Sequence, residues 1–138
     1  MNINPIIASN ETLKSAFDKL PQPYADINDD FLEQHKESIG VLKKEFENRG
    51  GIHLITTGDK KVIVRLPSRA LLDDVLERAK KQKQSDSMQF LVGSCLLYPS
   101  IDVVQSWVDK EAPGLYIPLG NKIAELSAVT QETSAKKL

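Results

Sequence analysis

The sequence predicts an α+β fold with helix in the majority, and three observations lead there. Apolar residues recur at steps of three and four through most of the chain, the period of amphipathic helices. They alternate at steps of two in only two runs, 52–57 and 61–66. No repeat, low-complexity block or linker divides the 138 residues, a length that suits one core. Two strands alone are marginally stable and must pack on helices. The expected organisation is a single domain over 1–129 with a loose N-terminal arm, and a flexible C-terminal tail over 130–138.

Residues 1–9 show no strong periodicity and form that arm. Asn10 caps a short helix, with Leu13, Ala16, Phe17 and Leu20 at helical spacing. Pro21 and Pro23 stop it, because a proline ring clashes with the preceding turn and brings no N–H. Asn28 is the N-cap of a long helix over about 29–48. Asp29 and Asp30 sit at its positive end, and Leu32, His35, Ile39, Leu42 and Phe46 form one stripe. Gly50 and Gly51 end it. Gly40 in its middle costs about 1 kcal/mol relative to alanine and points to a close backbone contact.

Ile52, Leu54 and Thr56 alternate with His53 and Ile55; Val62, Val64 and Leu66 alternate with Ile63 and Arg65. Gly58-Asp59-Lys60 supplies turn residues between them, so the two runs read as an antiparallel hairpin. Pro67 ends the second strand and Ser68 caps a helix whose apolar face is Leu71, Leu72, Val75, Leu76 and Ala79. Asp73 and Asp74 lie early in it and Arg78, Lys80 and Lys81 late, in the sense the helix dipole favours. Residues 80–87 are polar and without periodicity, and read as a loop or a frayed helix end.

A further helix over about 87–97 carries Met88, Leu91, Val92, Cys95 and Leu96, and Pro99 breaks it. Ser100 caps the next, with Val104, Trp107 and Val108 on its apolar ridges. Tyr116 to Pro118 reads as extended, and Leu119, Ile123 and Leu126 as a last short helix. Leu72, Val75, Leu76, Leu91, Cys95, Val104 and Trp107 make the expected core of this half.

Eighteen basic and nineteen acidic residues give no general attraction for nucleic acid, whose binders show a basic excess. The single cysteine, Cys95, forms no intrachain disulfide, and with His35 and His53 it supplies only three widely spaced zinc donors. The start has neither a basic region nor an apolar stretch suited to export. The longest apolar-leaning run, 88–98, is far short of the roughly 20 residues that span a bilayer. A soluble cytoplasmic protein is expected, with no cofactor, no metal, no nucleic acid and no membrane.

The residues that carry chemistry elsewhere have plainer readings here. His35 lies within an apolar stripe and reads as a packing residue; His53 faces opposite Leu54 and reads as solvent-facing. Cys95 is flanked by Leu96 and Leu97, with no basic neighbour in sequence to hold a thiolate, and reads as an inert core thiol. The adjacent carboxylates Asp29-Asp30 and Asp73-Asp74 are explained by helix N-termini, and Lys80-Lys81-Gln82-Lys83 by a solvated helix end. No phosphate-binding, dinucleotide, calcium-loop or zinc-protease motif is present. Trp107, Tyr98 and Tyr116 are the large aromatic groups of the second half, a residue type that dominates both cores and interfaces. Trp107 packs in the core or binds a partner; Trp107, Tyr98, Tyr116 and Leu115 are the candidate partner-binding residues.

Lys61-Val-Ile-Val-Arg-Leu-Pro-Ser-Arg69 followed by Leu71-Leu72-Asp73-Asp74-Val75-Leu76 has a familiar order. So has Leu91-Val-Gly-Ser-Cys95-Leu-Leu-Tyr-Pro99, then Pro113-Gly-Leu115 and Leu119-Gly-Asn-Lys-Ile123-Ala-Glu-Leu126. This half of the chain resembles small tail assembly chaperones of tailed bacteriophages and prophages. The resemblance implies an interaction protein, not an enzyme, that binds the long tape-measure protein in the host cytoplasm and keeps its helices soluble while the tail is built. A helical domain can receive an amphipathic helix in an apolar groove. The rival readings are a structural minor tail or baseplate subunit retained in the virion, able to form homo-oligomers, and a small hydrolase or transferase with a cryptic site.

Overall fold

The computed structural model describes residues 4–135. It places a three-stranded antiparallel sheet between two layers of helices. The N-terminal layer holds α1 (Pro5–Ala8), α2 (Glu11–Asp18), α3 (Asp29–Gln34) and α4 (Lys36–Phe46). The hairpin β1 (Ile52–Thr57) and β2 (Lys60–Arg65) follows, then α5 (Arg69–Lys81) and α6 (Gln84–Cys95). After α6 come β3 (Leu96–Tyr98), α7 (Ile101–Lys110) and α8 (Tyr116–Ala135).

The hairpin forms as expected, with Ile52 opposite Arg65 and Thr57 opposite Lys60. Its turn is the two residues Gly58-Asp59, and Gly58 takes a positive φ of 61° at the first central position, as type II′ requires. The third strand was not expected: β3 pairs antiparallel with β2, making the sheet order β1-β2-β3. Strand β2 is therefore central, and Val62, Ile63 and Val64 are all buried. Val62 and Val64 face the second-half core of Leu91, Cys95, Val104, Leu119 and Ile123, whereas Ile63 faces Phe17, Phe31, Leu42 and Phe46. A strand covered on both faces reads as a continuous apolar run, and this one does.

Several expectations are corrected. The 29–48 helix is two helices, because His35 leaves the helical region at φ −114°, ψ 22°. Histidine is a weak helix former, and its ring packs on Phe31, 4.8 Å between centroids. The bend keeps Phe31 and Ile39 in one core; Phe31 is fully enclosed there, and Leu32 packs half-buried at its margin. Gly40 meets nothing within 4 Å, so it marks no close approach. That role falls to Gly120 in α8, where a Cβ would stand 3.1 Å from Met88 Cβ and closer to its sulfur.

The arm is not loose from Asn4 onward. Asn4 is the N-cap of α1, and its side-chain amide donates to Ser94 O at 2.8 Å and Leu96 O at 3.1 Å. Those carbonyls lie at the end of α6 and the start of β3, so the segment is stapled across the sheet. Pro118 opens no extended stretch; it sits in the first turn of α8, where a missing N–H costs nothing. That helix runs on through 130–135, and the remainder of the expected tail, 136–138, lies outside the described residues. The 80–87 loop shrinks to two residues between α5 and α6.

The expected core is also revised. Val75, Leu91, Cys95 and Val104 are buried together, Leu72 and Trp107 are half-buried, and Leu76 is 62% exposed. Helix α5 packs on α6 through one narrow line that includes Val75, leaving Leu76 on the outer side. Leu76→Ala is accordingly expected to change the free energy of unfolding by less than about 0.5 kcal/mol, the usual range for surface sites. A loss of about 2 kcal/mol or more in urea unfolding would place Leu76 in a buried contact instead.

Candidate functional site

Three of the four candidate partner-binding residues have no surface to offer. Tyr98 is 0% exposed, and Leu115 and Tyr116 are buried in the second-half core. The cause is positional: β3 passes Tyr98 between the two layers, and Leu115 and Tyr116, where the chain enters α8, pack into the second-half core. The Tyr116 hydroxyl donates to Gln105 Oε1 at 2.7 Å, tying α8 to α7. Trp107 alone reaches the exterior, half-buried on α7.

Tyr24 stands against Trp107, a residue absent from the candidates because it lies in the loop between α2 and α3. Its ring meets Trp107 edge to face, 4.9 Å between centroids and 88° between planes. The other face of the cluster is Tyr98, stacked on Tyr24 at 5.8 Å and 19°. The Tyr24 hydroxyl donates to Lys61 O at 3.1 Å, and the Tyr98 hydroxyl donates to Pro21 O at 2.7 Å and accepts from Ala25 N at 2.9 Å. Loop 21–25 is thus held to β2 and β3 by two phenols. A pair of prolines, Pro21 and Pro23, followed at once by a tyrosine four residues before the Asn28 cap was the signal available for this loop.

Beside these rings opens a cleft of about 470 Å³, lined by Pro23, Tyr24, Val103 and Trp107, with Ser100, Ser106 and Asp102 on the α7 side. Ser100 holds the N-cap position of α7, yet its hydroxyl makes no cap bond; only its carbonyl accepts, from Val103 and Val104. Lys60 Nζ lies 5.2 Å from the Trp107 indole centroid. It pairs with Glu111 at 2.6 Å and Asp59 at 3.8 Å, and its side chain is only 14% exposed. Lys61 pairs with Asp26 at 3.2 Å. Burial pushes the Tyr24 phenol up, and the Asp26 and Asp59 carboxylates add to that rise.

The groups with nucleophilic or basic chemistry lie on separate elements. Burial pushes the Cys95 thiol up to about 12, against a smaller opposing effect of Arg65, so it is protonated at neutral pH. His53 Nε2 sits 2.9 Å from Gly50 O. His53 is half-buried and its neighbour Leu54 is 44% exposed, the reverse of the expected facing, because Ile55 on the same side as His53 enters the second-half core. Among the described residues no three His, Cys, Asp or Glu side chains group as a metal site. Nor is any helix there long and apolar enough to cross a membrane.

The chain matches no family model, no curated protein and no solved structure.

Proposed function

We propose that this protein is a non-enzymatic interaction protein of phage tail assembly, a chaperone that holds a helical segment of the tape-measure or another tail protein in the host cytoplasm. The observation that carries the binding role is the open aromatic cleft at Tyr24 and Trp107: rigid rings with a wet rim are the groups that concentrate binding energy at protein interfaces. The setting comes from the order of short motifs between Lys61 and Leu126, which resembles that of tail assembly chaperones. Burial of an amphipathic helix is driven mainly by apolar area, at about 25 cal/mol per Å² before ordering costs.

Co-expression with the neighbouring tape-measure protein, followed by pull-down at low and high salt, tests this reading. A complex is expected at both salts, since apolar contacts are not screened, whereas one made by Lys80, Lys81 and Lys83 would weaken. No complex at either salt contradicts the chaperone role. Stoichiometric recovery of this chain in purified virions contradicts it too, and supports a structural minor tail or baseplate subunit.

A further inference from the structure

The hairpin leaves one long side of the sheet open. Thr57 and Lys60 close the two-residue turn as a hydrogen-bonded pair, so Thr57, Ile55 and His53 turn their N–H and C=O groups towards β2. Ile52, Leu54 and Thr56 turn theirs the other way. The same alternation in β2 points the backbone of Ile63, the residue opposite Leu54, towards β3, where it pairs with Tyr98. Among the described residues β1 has no strand on its outer side, and no backbone hydrogen bond from another element reaches Ile52, Leu54 or Thr56.

Edges of this kind are usually guarded by a lysine, a proline, a bulge or a short length. Strand β1 has none of these guards. Ile-His-Leu-Ile-Thr-Thr is six residues without Lys, Arg, Asp, Glu or Pro, and its register with β2 is unbroken. Ile52, Leu54 and Thr56 also share one face of the sheet. On that face Leu54 is 44% exposed, one of two large apolar side chains left so open among the described residues.

We propose that β1 is the docking edge for a second copy of this chain, the two β1 strands running antiparallel about a two-fold axis at Leu54. In that register Leu54 lies opposite its own counterpart and Ile52 lies opposite the second copy's Thr56, so all three outward-facing residues of each strand are paired. The contact is self-complementary, as a two-fold interface must be. It covers both exposed leucines at once, sets no charge against like charge, and extends the sheet to six strands. A second copy suits this edge better than a free peptide because its strand is already held extended by β2, whereas a peptide must be ordered on binding. The inference goes beyond the tail-assembly reading and does not depend on it.

Sedimentation velocity of the full chain is expected to show monomer giving way to dimer between about 5 and about 500 μM, the range of a small, mainly backbone interface. Amide exchange followed by NMR reads the edge itself. Ile52, Leu54 and Thr56 should exchange at least about tenfold more slowly at the high concentration, while His53, Ile55 and Thr57, already bonded to β2, change little. Leu54→Lys and Leu54→Glu should each be monomeric with unchanged circular dichroism. An equimolar mixture of the two should dimerise more than either alone, because opposite charges then face each other across the axis. A chain that stays monomeric at about 500 μM overturns the proposal. So does a dimer in which these three amides gain no protection, or a mixture that dimerises no better than its components; the interface then lies elsewhere.

Discussion

Replacing Tyr98 by alanine is expected to lower the free energy of unfolding by about 3–5 kcal/mol, the range for truncating a fully buried aromatic residue. A single domain is stable by only about 5–15 kcal/mol, so this is a large share. Tyr98 is fully buried and touches three aromatic rings, Phe17 at 6.3 Å, Tyr24 at 5.8 Å and Phe31 at 5.4 Å. It also bonds loop 21–25 at both Pro21 and Ala25. Tyr98→Phe keeps the packing and removes only the hydroxyl, leaving the Ala25 N–H and Pro21 carbonyl without their partner. That change is expected to cost about 1–3 kcal/mol. Urea unfolding of both variants checks the account; a loss under about 1 kcal/mol for Tyr98→Ala would mean that the two layers are not joined through this residue.

The second large effect is alkaline. Burial pushes Tyr98, Tyr116 and Cys95 each up to about 12, from ordinary values of 10.0, 10.0 and 9.0. The folded chain therefore keeps protons that the unfolded chain releases. The resulting stabilisation is complete below the unfolded values and is lost as pH rises towards 12. Together the three groups are expected to lower the stability progressively between pH 9 and 12. Chemical denaturation at a series of pH values measures the slope directly, and Tyr98→Phe should make it shallower by one group's share. A stability that stays flat to pH 12 would contradict the burial of these three protons.

Much of the architecture was written in local patterns. The hairpin followed from alternation and Gly58, and the Asn10, Asn28 and Ser68 caps bond as their positions suggest, for example Asn28 Oδ1 from Phe31 N at 2.8 Å. The third strand was harder, because Leu91 to Leu97 is nearly all apolar and such a run fits a buried helix or a buried strand equally. Two local facts pointed the right way: Tyr98 precedes Pro99 and so favours extended backbone, and Val62-Ile63-Val64 is too apolar for a strand with one wet face. The docking of Asn4 was legible only in part. Asn4 before Pro5 is an N-cap followed by a proline at the first helical position, but its bonds to Ser94 and Leu96 span ninety or more positions of sequence. At the candidate site, size and aromaticity drew attention to Trp107, which the sequence reading placed in the core with partner binding as the alternative, and which the structure leaves half-buried on α7. The same criterion could not separate it from Tyr98 and Tyr116, whose burial is set by strand and helix placement, and it passed over Tyr24.

The most direct test of the binding account uses the one tryptophan as a fluorine label. Protein grown with 5-fluorotryptophan gives a single fluorine resonance, from Trp107. Titration with the purified tape-measure protein, or the segment of it that co-purifies, is expected to shift or broaden that resonance in step with complex formation, as the Tyr24–Trp107 cleft fills. A complex that forms while the resonance stays unchanged would contradict the placement of the partner at this cleft.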